Sequence, residues 1–221
     1  MEPVVTFATP DALAGPGTRD FYLGILSHDE KVRLARLLSP AKQELFLLAR
    51  GLLRTSLSRC EEVEPAGWRF TLGEHGRPEI AAPKSALRFN LSHTQGLAAC
   101  VVTDRADVGI DVEKITPRHH MTLARRFFSP REQHDLCALP EPEQPTRFFE
   151  LWTLKEAYLK ARGLGLTISL RTFSFYRNDG AEWRIEFAAG MKDDPVRWRF
   201  RSWPVAPLHR AALAVAAMAV D

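Results

Sequence analysis

Apolar residues in the first third of the chain recur at helical spacing. Leu45, Leu48, Leu52 and Leu53 form one stripe, and Ser39 before Pro40 supplies a polar start with proline in the first turn. This pattern predicts a helix over 40–58 that carries Arg50 and Arg54 one turn apart. Residues 28–38 read as a second amphipathic helix with Lys31, Arg33 and Arg36. From Trp68 the pattern shortens to strands and turns. Gly73-Glu74-His75-Gly76-Arg77-Pro78 is a turn cluster, followed by Phe89-Asn90-Leu91-Ser92-His93-Thr94, with Ser92-His93 expected at the start of a strand after a turn. The apolar run 97–102 and the segment 108–113 flank the polar turn 104–107, and an antiparallel hairpin is the expected pairing of these two strands.

The second half begins again with a helix, over 121–128. Ser129-Pro130-Arg131-Glu132 then has the form of a capping box. Pro140, Pro142 and Pro145 interrupt, and helical periodicity returns over 146–162 through Phe149, Trp152 and Leu159 until Gly163 and Gly165 stop it. Segments 173–175, 183–187, 196–203 and 211–220 alternate as strands, although the last is rich in alanine, a helix former. His93 followed by Leu97-Ala98-Ala99-Cys100-Val101-Val102 is echoed by His209 followed by Ala212-Leu213-Ala214-Val215-Ala216. Both halves read helix first and strands afterwards. The expected class is α+β: two similar halves, 1–105 and 106–221, related by a pseudo-two-fold, each an antiparallel sheet packed against helices.

Composition adds limits. The 221 residues can bury a sizeable core, and a formal charge of +3 falls well short of a nucleic-acid binder while suiting phosphate ligands or an acidic partner. Cys60, Cys100 and Cys137 are odd in number and widely spaced, which indicates neither a zinc site nor a disulfide framework. The first ten residues do not resemble a signal peptide, and no apolar run reaches spanning length. A cytoplasmic location is expected.

The candidate chemistry is acidic. In Gly109-Ile110-Asp111-Val112-Glu113, strand alternation puts Asp111 and Glu113 on one face and Ile110 and Val112 on the other. In Trp152-Thr153-Leu154-Lys155-Glu156-Ala157-Tyr158-Leu159-Lys160, Glu156 and Lys160 share a helix face. Three carboxylates and a lysine suit Mg²⁺ on a phosphorylated substrate, with Mn²⁺ chemically possible. Blander readings stand beside this one. The acids could be solvated on an edge hairpin, and Ser92-His93 could be structural. Lys155, Lys160, Arg50, Arg54 and Arg77 could all face water. Flanking apolar residues favour a buried strand, where paired acids need a cation. No phosphate-binding glycine loop or dinucleotide fingerprint is present.

Taken in order, Asn90-Leu91-Ser92-His93, Gly109-Ile110-Asp111-Val112-Glu113, Phe127-Phe128-Ser129 with Glu132, and the 152–160 segment resemble the 4′-phosphopantetheinyl transferase superfamily, nearest the surfactin-synthetase-activating (Sfp) type. Arg50-Gly51-Leu52-Leu53-Arg54 and Gly76-Arg77-Pro78 extend the resemblance upstream. It implies transfer of 4′-phosphopantetheine from coenzyme A to a serine of an apo carrier protein, releasing adenosine 3′,5′-bisphosphate. It also implies that Asp111, Glu113 and Glu156 are the metal acids, that Glu156 is the base and that Lys160 lies on the pyrophosphate. His93 and Arg50 would bind a CoA phosphate, with Arg77, Ser92 and Lys31 as further contacts. The half 1–105 would then make the CoA nucleotide contacts, and 106–221 would carry the metal site and catalytic helix. Arg118, Arg125 and Arg126 would meet an acidic carrier, and the chain would act as a monomer without nucleic acid or membrane partners. Rival readings are a Mg²⁺-dependent CoA or nucleotide pyrophosphatase and a non-enzymatic CoA- or RNA-binding module.

Overall fold

The computed structural model describes residues 1–73, 76–163, 165–177, 182–206 and 208–217. The chain divides into two compact units, Met1–Arg105 and Ala106–Asp221.

In the first unit, β1 (Val4–Ala8) precedes three helices, α1 (Thr18–Ile25), α2 (His28–Ala35) and α3 (Pro40–Ser58). Four strands follow: β2 (Arg69–Leu72), β3 (Pro78–Ala82), β4 (Leu87–Thr94) and β5 (Leu97–Asp104). β5 is central in a three-stranded antiparallel sheet of order β1-β5-β4, and β2 pairs with β3 alone. The α3 stripe expected from sequence is buried through Leu48, Leu52 and Leu53, and it packs with Phe89, Ala98, Cys100 and Val102 from the sheet.

The second unit repeats the plan. β6 (Val108–Lys114) leads into α4 (His120–Phe127), α5 (Pro130–Cys137) and α6 (Gln144–Arg162). Then come β7 (Phe173–Tyr176), β8 (Arg184–Phe187), β9 (Trp198–Pro204) and β10 (His209–Ala216). The last strand is again central, in the order β6-β10-β9, and β7 pairs with β8. The two long helices, α3 and α6, are each 19 residues. The expected α+β class is borne out, and each unit opens with an edge strand before its helices; of the expected echo, His93 ends up on β4 before the turn whereas His209 begins β10 itself.

The expected hairpin between 97–102 and 108–113 is not formed. Gln95 and Gly96 close β4 onto β5 in a two-residue turn, with Gly96 at φ 83° and Thr94 opposite Leu97. β1 fills the other edge of β5, so β6 pairs instead with β10, Asp111 opposite Ala212 and Glu113 opposite Arg210. Ser92 and His93 consequently lie near the end of β4, before the turn, rather than at the start of a strand. The alanines of β10 have a packing reason that overrides helix propensity. Ala212, Ala214 and Ala216 lie in the core under α6, where small side chains allow a helix to approach a sheet closely. Of the expected segment 211–220, residues 218–220 lie outside the described residues, as do Glu74 and His75 of the turn cluster.

Gly109 makes this approach extreme. A Cβ at that position would fall 2.1 Å from the Ala157 carbonyl oxygen and 2.5 Å from the Ala161 nitrogen. Strand β6 therefore rests directly on the α6 backbone. Gly51 of α3 instead makes room for a side chain of α1, because a Cβ there would fall 2.2 Å from the Tyr22 ring.

Gly109→Ala should destabilise the protein by about 3 kcal/mol or more, since backbone cannot move aside as a side chain can. Gly24→Ala, on an exposed helical position with nothing within 4 Å, should instead stabilise by about 0.5–1 kcal/mol. Urea unfolding midpoints of the two variants check this contrast.

Candidate active site

Direct seating of β6 on α6 brings the two acidic segments together. Ile110 and Val112 are fully buried on one face of β6, while Asp111, only 4% exposed, faces α6. Its Oδ1 accepts a hydrogen bond from Lys160 Nζ at 2.6 Å. Glu156, one turn before Lys160, is half-buried. Its carboxyl holds its proton more tightly than usual, first because burial disfavours the anion, then because Asp111 lies near, while Lys160 opposes both effects. Glu113 is half-buried at the end of the same strand face. The alternative of solvated acids on an edge hairpin is therefore wrong for Asp111. Among the described residues no three His, Cys, Asp or Glu side chains are grouped to hold a metal ion. The donors are two electrostatically coupled carboxylates with hard oxygens, and a lysine already sits on one of them.

Lys155 and Lys160, neighbours on the same helix, have opposite fates. Lys155 is wholly buried, not water-facing. Its Nζ donates to the carbonyls of Leu170 and Phe173 at 2.7 and 2.6 Å and pairs with Glu132 Oε2 at 2.8 Å. Burial lowers its pKa to about 8, with Glu132 opposing. Glu132 also closes the expected capping box of α5 with Ser129 and accepts from the Phe175 amide at 2.9 Å. This pair ties α5, α6 and β7 together one residue away from Glu156. The sequence signal was available: Lys155 falls on the stripe Leu151, Leu154, Tyr158, Leu159, where helix spacing requires burial. Beyond Lys160, Asp193 Oδ2 accepts from Tyr158, Arg162 and Trp198, fixing the end of α6. Near its start, Glu150 gathers Arg147, Arg177 and Arg210.

The remaining candidates for CoA contacts belong to the first unit. His93 is exposed and Ser92 buried at the end of β4. Arg77 donates to the Phe89 carbonyl at 3.4 Å and, with Arg88 and Arg105, lines a cavity of 310 Å³. Arg50 lies 3.8 Å from Glu30 and over the Phe46 ring, and Lys31 is exposed on α2 at the rim of an apolar groove with Leu23 and Leu34. Neither Arg50, Lys31 nor His93 lines the Arg77 cavity. Arg54 is a correction to the solvated reading. It is 1% exposed, binds Glu30 at 2.7 Å and the carbonyls of Pro65 and Trp68, and lies over Phe70. It is a structural clamp, and Glu30, which also closes the α2 capping box with Ser27, is the partner that sequence reasoning missed. Arg118, Arg125 and Arg126 are exposed on and before α4.

Residues 107–216 match the model of the 4′-phosphopantetheinyl transferase superfamily. The 4′-phosphopantetheinyl transferase Sfp of Bacillus subtilis strain 168 is 31% identical over 203 residues, covering 86% of this chain and 88% of that one. The chain belongs to the 4′-phosphopantetheinyl transferase superfamily. A second Bacillus subtilis 4′-phosphopantetheinyl transferase is 33% identical over 174 residues, 79% of this chain and 76% of its own. The 4′-phosphopantetheinyl transferase HetI of Nostoc sp. strain PCC 7120 is 42% identical over 144 residues, 64% of this chain but only 61% of its own length. The expectation of a transferase that modifies carrier proteins, nearest the Sfp type, is borne out at the level of the family.

Lys155→Met strands the Glu132 carboxylate without its ammonium and should cost about 3–5 kcal/mol in urea unfolding. Adding Glu132→Gln, which removes the stranded charge but keeps an acceptor for the Phe175 amide, should recover a measurable part of that loss.

Proposed function

We propose that the protein transfers 4′-phosphopantetheine from coenzyme A to the serine hydroxyl of an apo carrier protein, with Asp111, Glu113 and Glu156 as the oxygen donors to Mg²⁺. The observation that carries this is the junction of β6 and α6, where Asp111, Glu156 and Lys160 meet across the Gly109 contact. Two neighbouring carboxylates in a half-buried site attract a divalent cation, and their hard oxygens suit Mg²⁺ or Mn²⁺. When bound, the ion would supply positive charge to the CoA pyrophosphate and to the oxygen that leaves.

Glu156 takes the serine proton as Oγ bonds to the phosphorus that carries the pantetheine, either directly or through a water. With no ion bound, burial and then Asp111 make its carboxyl hold a proton more tightly than a surface carboxylate does. The bond from that phosphorus to the bridging oxygen breaks, and the electron pair leaves with adenosine 3′,5′-bisphosphate. Lys160 faces the negative charge that develops on the leaving phosphate. His93 and Arg50 bind a phosphate of CoA, the 3′-phosphate in our assignment, and Arg77, Ser92 and Lys31 contribute further contacts from the first unit. An acidic carrier docks on Arg118, Arg125 and Arg126, whose exposure and charge suit it.

The protein acts as a monomer in a reducing, cytoplasmic setting. Cys60, Cys100 and Cys137 are free thiols, and among the described residues no helix is long and apolar enough to cross a membrane.

Intact-mass spectrometry of apo carrier domains incubated with CoA and Mg²⁺ tests the reaction. The expected result is a gain of one phosphopantetheinyl group that is abolished by EDTA and reduced on the order of 100-fold or more by Asp111→Ala. Consumption of CoA without any carrier gain would instead mean hydrolysis. Arg125→Glu with Arg126→Glu should raise the carrier KM roughly tenfold with the CoA KM unchanged. Unaltered carrier kinetics would remove the docking assignment.

A further inference from the structure

Glu150 gathers more positive charge than one carboxylate can offset. Arg210 holds its Oε1, and Arg147 Nη1 lies 2.9 Å from its Oε2. Arg177 Nη2 approaches the same Oε2 at 3.9 Å, close enough for an ion pair but too far for a hydrogen bond. Two guanidiniums thus converge on one oxygen. They also share one aromatic ring. Arg147 Cζ lies 5.6 Å and Arg177 Cζ 4.9 Å from the centre of the Trp183 ring, which is almost wholly buried. Stacking on an indole fixes the guanidinium planes and leaves edge N–H groups for a forked contact with an oxyanion.

Both arginines line a cavity of 560 Å³. Arg131 and Asp135 of α5, Tyr176 of β7 and Trp183 beside β8 complete its polar and aromatic wall. Arg131 is already matched, because it pairs with Glu186 at 2.6 Å and lies 4.2 Å over the Tyr176 ring. With Arg210 set against Glu150 and Arg131 against Glu186, two guanidiniums remain, and the one further carboxylate in the lining is that of Asp135, exposed on α5. The balance is positive. Leu139 and Leu151 give the same cavity an apolar side, and its volume falls in the range of small-molecule sites.

We propose that this cavity is a second ligand site, which takes a small organic anion with a phosphate or carboxylate head held between Arg147 and Arg177. The apolar body of the ligand lies against Leu139 and Leu151. The head relieves the repulsion between the two guanidiniums and leaves Glu150 to Arg210, so the tie between β10 and α6 is kept. None of Asp111, Glu113, Glu156 and Lys160 lines the cavity. The sheet runs β6-β10-β9, and Trp183 bridges to Phe200 on the far side of β9, about three strand spacings or roughly 14 Å from β6. The site therefore stands whether or not the β6–α6 junction holds a metal ion.

Two-dimensional NMR of the ¹⁵N-labelled protein tests this through the indole N–H signals of its five tryptophans. The Trp183 signal is assigned by its loss in Trp183→Phe. Phenyl phosphate and benzoate are titrated separately. At least one should shift the Trp183 signal saturably with a Kd below about 1 mM, and the tighter of the two names the preferred head. Arg177→Gln and Arg147→Gln should each weaken that binding roughly 10- to 100-fold, since each removes one side of the fork. If neither probe saturates below about 1 mM, the cavity is not such a site. A response that persists in both arginine variants to within about threefold would also overturn the assignment. Loss of the response in Arg50→Gln but in neither arginine variant of the cavity would place the anion in the first unit instead. Thermal melting of each variant separates lost binding from lost folding, and Arg177, on an exposed position, is the substitution the fold tolerates better.

Discussion

Everything distinctive about the second unit depends on a strand lying directly on a helix backbone. Glycine at position 109 is the only residue that permits it, because any Cβ would collide with the Ala157 carbonyl and the Ala161 amide. At that spacing, the next residue on the same strand face, Asp111, reaches Lys160 and feels the charge of Glu156. An ordinary helix-to-sheet distance of about 10 Å would leave room for side-chain layers between them and separate the charges. The small face of β10, with Ala212, Ala214 and Ala216, is the same constraint seen from the neighbouring strand.

Holding a helix this close needs a rigid helix, and α6 is fixed at several depths by charge pairs whose carboxylates are buried. Lys155 with Glu132 anchors its middle, Glu150 with three arginines its start, and Asp193 with Tyr158 and Arg162 its end. Buried pairs of this kind add little net stability over apolar packing, but they punish any rearrangement that separates them. In the first unit, Arg54 plays a similar part, joining α3 to the α2 cap through Glu30 and to the Pro65 and Trp68 carbonyls. Similar charges thus divide by depth: Lys155 and Arg54 are wholly buried and hold the fold, while Lys160 and Arg50 keep part of their side chains exposed.

Much of this was legible in the chain. The 3.6-residue stripes located α3 and α6 to within a few residues, the Ser129–Glu132 box started α5, and the alternation of 109–113 assigned faces to Asp111 and Glu113 correctly. Strand pairing was not legible. Adjacency favoured a hairpin between 97–102 and 108–113, but β1, a short edge strand with no strong local signal, takes the free edge of β5 and sends β6 to β10. Pairing depends on which edges are already filled, and that is a property of the whole sheet. The burial of Lys155 and Arg54 could have been read, since both occupy apolar helix positions. Their partners could not: Glu132 and Glu30 are 23 and 24 residues away from them in sequence, and the carbonyls they hold carry no sequence signature.

In the reading proposed above, the β6–α6 junction is the metal site of a phosphopantetheinyl transferase. Crystals grown with CoA and Mn²⁺ test it most directly through the anomalous signal of the ion. The expected result is a peak ligated by the Asp111 and Glu156 carboxylates. A peak away from both carboxylates would contradict it.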